Sequence, residues 1–145
     1  MGDQIKYLQV GWKEWGSLPD LNIERIHIKI DTGAKTSSLH CVKHEKFEKK
    51  GKTWVRFWTA VDQDSDELQV CEARLLDKRS VTSSGGHSTH RLVVQSELVL
   101  GDNSWPIEIT LADRSSMRFR MLLGREAMLH LAVYPHEANI QGKII

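Results

Sequence analysis

The stretch Arg25–Ile30, "RIHIKI", alternates strictly: Ile26, Ile28 and Ile30 fall on one face of an extended chain, with Arg25, His27 and Lys29 on the other. That period of two predicts a strand. "KTWVRFWTAV" (Lys52–Val61) is rich in aromatic and β-branched residues and predicts a second. It follows "EKFEKKG", whose Lys-Lys-Gly reads as a hairpin turn back from a strand over Ser38–Phe47. Further strands are expected at Glu67–Leu76, His90–Leu100, Ser104–Leu111 and Met117–Leu123. Turn signals separate several of them: "DQDSD" near position 64, "SSGG" at 83–86 and "GDNS" at 101–104.

Only one helix is expected. It opens at Gly124 in "GREAMLHL", where Ala127, Met128 and Leu131 would share a face. The chain shows no repeat, no low-complexity tract and no linker. Many short strands and one late helix predict a single all-β domain over 1–145, either barrel or sandwich.

Composition narrows this little. The 145 residues are 40% hydrophobic and 27% charged, enough for a core without staples. A formal charge of +1 makes no electrostatic case for nucleic acid. No run of roughly 18 apolar residues predicts a membrane helix. "MGDQIKYLQVGW" lacks the long apolar stretch of a secretory signal, so a cytoplasmic protein is expected. Cys41 and Cys71 are too few for a disulfide framework and fall in apparent strands, so both are read as buried free thiols.

Chemistry concentrates where the first strand ends, in "IKIDTGAKTSS" (Ile28–Ser38). Asp31 has three candidate jobs there. It can serve as an ordinary strand-end turn residue, for which Asp and Gly are common. It can be a phosphoaspartyl nucleophile, although such sites need an alternating α/β fold and a second Asp where this chain has Gly33. Or it can supply the carboxylate of an aspartic protease, at the tip of a rigid strand with backbone N–H groups close by. Gly33 lets the backbone approach, and Thr32 can hydrogen-bond backward into a neighbouring loop. Metal-free peptide hydrolysis needs two carboxylates sharing a proton. There is no second Asp-Thr-Gly or Asp-Ser-Gly in the chain, and "DSD" at 64–66 lacks the Gly. The second carboxylate must come from another copy.

A second landmark is "MLLGREAML" (Met121–Leu129): an apolar strand, then Gly-Arg, then the helix start. With the Asp-Thr-Gly-Ala at 31–34 it resembles the retroviral-type aspartic proteases (retropepsins), which carry the same pair in the same order. More specifically, "VGWKEWGSLPDL", "KIDTGAKTSSLH", "RLVVQSEL" and "ITLADRSSMRFRMLLGR" resemble retropepsin-like bacterial proteins often labelled ATP-dependent zinc proteases. The resemblance covers most of the chain. It implies a closed acid-protease barrel with one short C-terminal helix, acting as a homodimer on a peptide or protein substrate. Asp31, Thr32 and Gly33 would be the catalytic loop, with Gly124 and Arg125 bracing it. Ala34 and the flap glycines Gly85 and Gly86, in "SVTSSGGHSTH", would meet substrate. Some members are encoded beside ATP-grasp ligases that add amino acids to protein tails.

The residues do not earn the label's zinc or ATP, so no metal and no cofactor are expected. "HEKFE" (44–48) and "HEANI" (136–140) each lack the second His of a zincin helix. "HSTH" (His87, His90) and "HCVKH" (His40, Cys41, His44) are the remaining ligand candidates, read as incidental. "KFEKKGKT" ends like a phosphate-binding loop, but Lys46 replaces its first Gly and the segment reads as a hairpin.

Smaller expectations complete the reading. The viral Arg braces an acidic residue that Lys35, Thr36 and Ser37 do not supply, so Arg125 must find a carbonyl or Glu14. Arg56 can stack between Trp54 and Trp58. "YLQV" and "NIQGKII" are candidate terminal strands for a dimer. Ala34 lacks the hydroxyl that gastric-type enzymes place there, which predicts activity nearer neutral pH. The leading reading is an aspartic endopeptidase with paired Asp31 residues; the rivals are a catalytically silent scaffold on the same barrel and a zinc-dependent protease.

Overall fold

The isoleucine face of the first predicted strand is the core. In a computed structural model, which describes residues 6–82, 85–86 and 88–141, Ile26 and Ile28 are fully buried and Ile30 nearly so. Among the described residues there are eleven strands: β1 (Leu8–Val10), β2 (Lys13–Leu18), β3 (Ile23–Ile30), β4 (Ser37–His40), β5 (Lys43–Lys49), β6 (Lys52–Thr59), β7 (Gln69–Thr82), β8 (Ser88–Leu100), β9 (Asn103–Ala112), β10 (Met121–Leu123) and β11 (Leu131–Val133). Six of them close a barrel in the order β2-β3-β10-β4-β9-β8, sealed where Ser17 of β2 pairs with Val99 of β8. Gly16 makes that seam possible. A Cβ there would lie 2.9 Å from Ile28 Cδ1, Leu100 Cδ2 and the Val99 carbonyl. Closure removes both sheet edges from the barrel. Leu18, Leu39, Leu98, Ile109, Met121 and Leu123 fill the interior.

Beyond β8 the sheet continues through β7, β6 and β5. The β5–β6 connection is the Lys50-Gly51 turn, both with positive φ, as a two-residue type I′ hairpin needs. On this extension Arg56 does not stack between the indoles. It pairs with Glu45 at 2.9 Å and Glu72 at 2.7 Å, while Lys49 and Lys43 sit over Trp54 and Trp58. Carboxylates on both flanking strands hold the guanidinium, which lies over the Phe47 ring at 4.9 Å and not between the indoles.

Several boundaries differ from the sequence reading, each for a local reason. The strand expected over Ser38–Phe47 breaks after His40, because the chain changes partners there. The Cys41 N–H donates to Ala112 of the barrel, and the Val42 N–H to Trp58 of the extension. The strand expected over Met117–Leu123 contracts to β10, since Asp113 accepts from both the N–H and the hydroxyl of Ser115, and the Met117 N–H donates to Arg114. The expected helix is a single 3-10 turn, Arg125–Ala127. Its apolar residues still pack inward: Met128 joins the core, and Ala127 and Leu131 lie against it. Leu131 does so from a strand.

The terminal strands meet within one chain. Leu8–Val10 pairs in parallel with Leu131–Val133, so "YLQV" already has a partner in cis; of "NIQGKII", residues 142–145 lie outside the described residues. The segment after β11 is tied down by Glu14, which is fully buried. Its carboxylate accepts the N–H groups of Gly11 (2.7 Å), Ile140 (2.9 Å) and Gln141 (2.8 Å). Among the described residues, no helix is long and apolar enough to cross a membrane.

Candidate active site

β10 lies between β3 and β4, parallel to the first and antiparallel to the second. The 31–36 loop joins those two strands across the end of β10. This topology holds the loop from both sides. The Asp31 N–H donates to the Leu123 carbonyl (3.0 Å), so Asp31 begins the loop on a fixed backbone. One carboxylate oxygen accepts the Gly33 N–H at 2.9 Å, and the side chain is partly exposed.

The Gly-Arg-Glu segment clamps the same loop from below. Arg125 N–H donates to the Ala34 carbonyl (2.8 Å), and Glu126 N–H to that of Lys35 (3.1 Å). The Arg125 guanidinium reaches the Thr32 carbonyl at 3.0 Å, and Gly124 N–H donates to Ser37 Oγ at 3.1 Å. Gly124 must be glycine: a Cβ would come within 2.5 Å of the Thr36 carbonyl carbon. Arg125 therefore found a carbonyl and not Glu14, whose carboxylate is occupied by the tail. Thr32 is exposed, and its hydroxyl does not form the expected backward bond to any described residue.

A cavity of about 720 Å³ opens between this loop and the β7–β8 hairpin. Gly33, Ala34, Lys35 and Thr36 form one wall; Arg79, Ser80, Thr82 and Arg91 of the hairpin form the other. Gly85 and Gly86 sit at the exposed tip, Gly86 with φ +83, and do not line the cavity. The shaft of the hairpin faces the Asp31 loop.

The sequence reading missed the charge of this cavity. Five cations border it: Lys35, Arg79, Arg91, Arg114 and Arg125. Three are engaged. Arg79 pairs with Asp77 (3.2 Å) and Glu108 (2.9 Å), Lys35 with Glu126 (3.7 Å), and Arg125 bonds Thr32. Arg114 is buried, and its Nε donates to the Phe119 carbonyl at 3.0 Å. Burial pulls its guanidinium below the usual range, with the Arg91 cation adding to the effect and the Asp31 carboxylate opposing it. The Arg91 Nε donates to the Thr89 hydroxyl at 3.3 Å, its one side-chain bond among the described residues. The signal available in sequence was Arg114 itself, in the quoted "ITLADRSSMRFRMLLGR", but nothing local marks it as inward-facing.

Of the histidine candidates, His44 and His90 border one pocket of about 250 Å³, together with Lys46, Lys78 and Arg91, and His40 lies apart from them. His40 is buried, and its Nδ1 accepts the Arg114 N–H at 2.9 Å, while His44 and His90 are exposed; His87 lies outside the described residues. Among the described residues no three His, Cys, Asp or Glu side chains come together as a metal-binding group, so the donors present do not fit a zinc site. The phosphate-loop look-alike "KFEKKGKT" spans the β5–β6 hairpin, between antiparallel strands and with no helix start to receive a phosphate.

The barrel and the braced aspartate loop define a retropepsin-like fold. The chain belongs to the RimB-like family of retropepsin-like aspartic endopeptidases, whose sequence profile matches residues 9–144. It is also similar to a "Probable alpha-L-glutamate ligase" of Shewanella pealeana, 42% identical over 136 residues, which are 92% of this chain and 30% of that protein. A protein of the same name from Desulfotalea psychrophila is 41% identical over 130 residues, 89% of this chain and 28% of the relative. The chain thus spans less than a third of the length of these curated relatives. A crystal structure of a Legionella pneumophila protein of unknown function aligns with a TM-score of 0.77 at 30% identity, covering 92% of this chain and 97% of that one.

Proposed function

We propose that this chain is an aspartic-type peptide-bond hydrolase that works as a homodimer, with Asp31 of each copy forming one water-activating pair. The observation that carries the reading is Asp31 itself: a partly exposed carboxylate at a strand end, fixed by the Gly33 N–H, on a loop braced by Gly124 and Arg125 beside a peptide-sized cavity. Each chain supplies one such loop, which is why a second copy is required. In this reading Thr32, exposed and with no hydroxyl bond among the described residues, would bond across that two-fold.

In the pair, like charges at one axis resist ionising together, so one carboxyl keeps a proton. The ionised carboxylate takes a proton from a water whose oxygen attacks the peptide carbonyl carbon. The protonated carboxyl gives its proton to the carbonyl oxygen. As the tetrahedral species collapses and its C–N bond breaks, the leaving nitrogen takes a proton from the pair. One hydroxyl on that carbon returns its proton to the pair, which again holds the single proton it began with.

The ligase name of the longer relatives describes proteins of which this barrel is less than a third, so ligation is not assigned to this chain. Hydrolysis of a glutamyl peptide would be the chemical reverse of a ligase joining glutamate. Glutamate-containing peptides are accordingly the first substrates to test, by mass spectrometry of the products. Replacing Asp31 with Asn preserves shape and removes the base; turnover should fall by at least several orders of magnitude with the fold intact. Undiminished turnover in folded Asp31→Asn protein, or full activity from a species that sediments as a monomer, would overturn the mechanism. A scaffold sharing the barrel would cleave nothing in either form.

A further inference from the structure

Ser37, Ser38 and Thr110 bring three hydroxyls together where β4 runs between β10 and β9, and two of them are committed. Ser37 Oγ accepts the Gly124 N–H at 3.1 Å, and the Thr110 hydroxyl donates to the Ser37 carbonyl at 2.8 Å. Ser38 differs. It is 4% exposed, and its Oγ has no hydrogen-bond partner among the described residues. Strand register fixes the face it occupies. Leu39 lies opposite Met121, and both are fully buried in the barrel core; Ser38 lies opposite Leu122, on the other face of the same two strands. That face borders the cavity beside the Asp31 loop, which Ser38 and Leu122 both line. Two more buried side-chain atoms lack partners among the described residues, Thr59 Oγ1 and Arg120 Nε, and neither residue lines this cavity. A buried hydroxyl without a partner lowers stability, and folded chains keep few of them. At a cavity wall, an occupant can supply the missing bond.

We propose that Ser38 is a substrate-binding residue whose hydroxyl hydrogen-bonds an amide of the peptide held in this cavity. A serine hydroxyl is uncharged and is donor and acceptor at once, so it can receive either the N–H or the C=O of an amide. Turning it toward an occupant needs only rotation about one side-chain bond between staggered positions. β4 begins directly after the braced 31–36 loop, so the bond fixes the peptide against the same stretch of backbone that carries the Asp31 carboxylate. Ser38 takes no part in breaking the bond. The proposal rests on the hydrolase reading only for the ligand being a peptide.

The test separates the two. Asp31→Asn protein, with and without Ser38→Ala, is titrated with fluorescein-labelled hexaglutamine and hexaglutamate, and binding is read by anisotropy. Ser38→Ala should weaken binding roughly tenfold, the effect of one hydrogen bond. In the free protein it should raise the melting temperature by roughly 2–4 °C, because a buried hydroxyl without a partner has been removed. Thr59→Val removes such a hydroxyl away from the cavity, and should raise the melting temperature with no loss of binding. An equal loss for both peptides assigns the partner to the main-chain amides they share, and a loss confined to hexaglutamine assigns it to a side-chain amide; either supports the proposal. A loss confined to hexaglutamate, no loss for either peptide, or no saturable binding of either would overturn it. So would a lowered melting temperature with binding unchanged, the mark of a hydroxyl that serves the fold alone. Weakened binding in Ser38→Ala with no cleavage by unmutated protein supports the Ser38 bond and counts against the hydrolase. Cleavage whose KM and kcat ignore Ser38→Ala does the reverse.

Discussion

Arg125 reaches the carbonyl of Thr32, 93 positions away in sequence, at 3.0 Å. With the Arg125 N–H on Ala34, this places one residue on two points of the Asp31 loop. Replacing Arg125 with Gln should cost only about 1 kcal/mol of stability, since the guanidinium is exposed and a hydrogen bond to it is partly replaced by water. Activity should fall more than stability does, because a loosened loop misplaces the carboxylate. Denaturant unfolding and kcat, measured on one preparation, check this; an unchanged kcat would mean the loop holds its shape without Arg125.

Gly124→Ala tests the clamp from its backbone side. A methyl 2.5 Å from the Thr36 carbonyl carbon must push the 31–36 loop away from β10. Overpacking of this kind costs about 1–3 kcal/mol, and here the neighbour that must give is main chain. The midpoint of urea unfolding should drop without a change in slope.

Glu14 holds three N–H groups in a buried site, so Glu14→Gln turns one acceptor into a donor facing donors. The expected loss is about 2–4 kcal/mol. Hydrogen exchange should report the cause directly: the amides of Gly11, Ile140 and Gln141 should exchange faster than those of β3.

Stability should decline on acidification below neutrality. His40 is pulled below its ordinary value of 6.5, first by burial and then by the Arg120 cation, and His27 is lowered by burial as well. Since the unfolded chain binds these protons at higher pH than the folded one, protonation favours unfolding. The contribution is full above about pH 7 and is lost as pH falls through 6.5 toward the lowered folded values. The geometry agrees, because His40 Nδ1 must be unprotonated to accept the Arg114 N–H. Melting temperatures from pH 7.5 to 5 should slope, and His40→Asn, which keeps an acceptor, should flatten part of that slope.

Both thiols should be inert in the native protein. Burial pushes Cys41 up to about 11 and Cys71 up to about 12, and both are free. A thiol reagent at pH 8 should label neither until denaturant is added. Rapid labelling of folded protein would show that the β6–β7 region opens locally.

Alternation was enough to find β3, because a strand with one face in a core writes its burial every second residue; aromatic and β-branched content marked β6, and turn signals bounded β8 and β9. The Lys50-Gly51 hairpin was legible for a similar reason, as its backbone requires positive φ and few residues supply it. The turn after Gly124 was misread as a helix since Ala127, Met128 and Leu131 do all face inward. Three inward residues at that spacing suit a helix, and equally suit a 3-10 turn running into a strand. The break after His40 had no local mark, because it exists only where the chain leaves one strand partner for another.

The Asp31 loop and its Gly-Arg counterpart could be picked out in the sequence by their residue types, each at the end of an apolar strand. Their union could not: it depends on β10 sliding between β3 and β4, a pairing between segments some ninety residues apart. The same holds for the cationic cavity. Arg79 and Arg91 lie on a hairpin, Arg114 past β9 and Lys35 in the loop, and no pattern along the chain links them. Charges interact through space at distances of a few ångströms, so which cations keep an anion and which are left without one is decided only when the barrel closes.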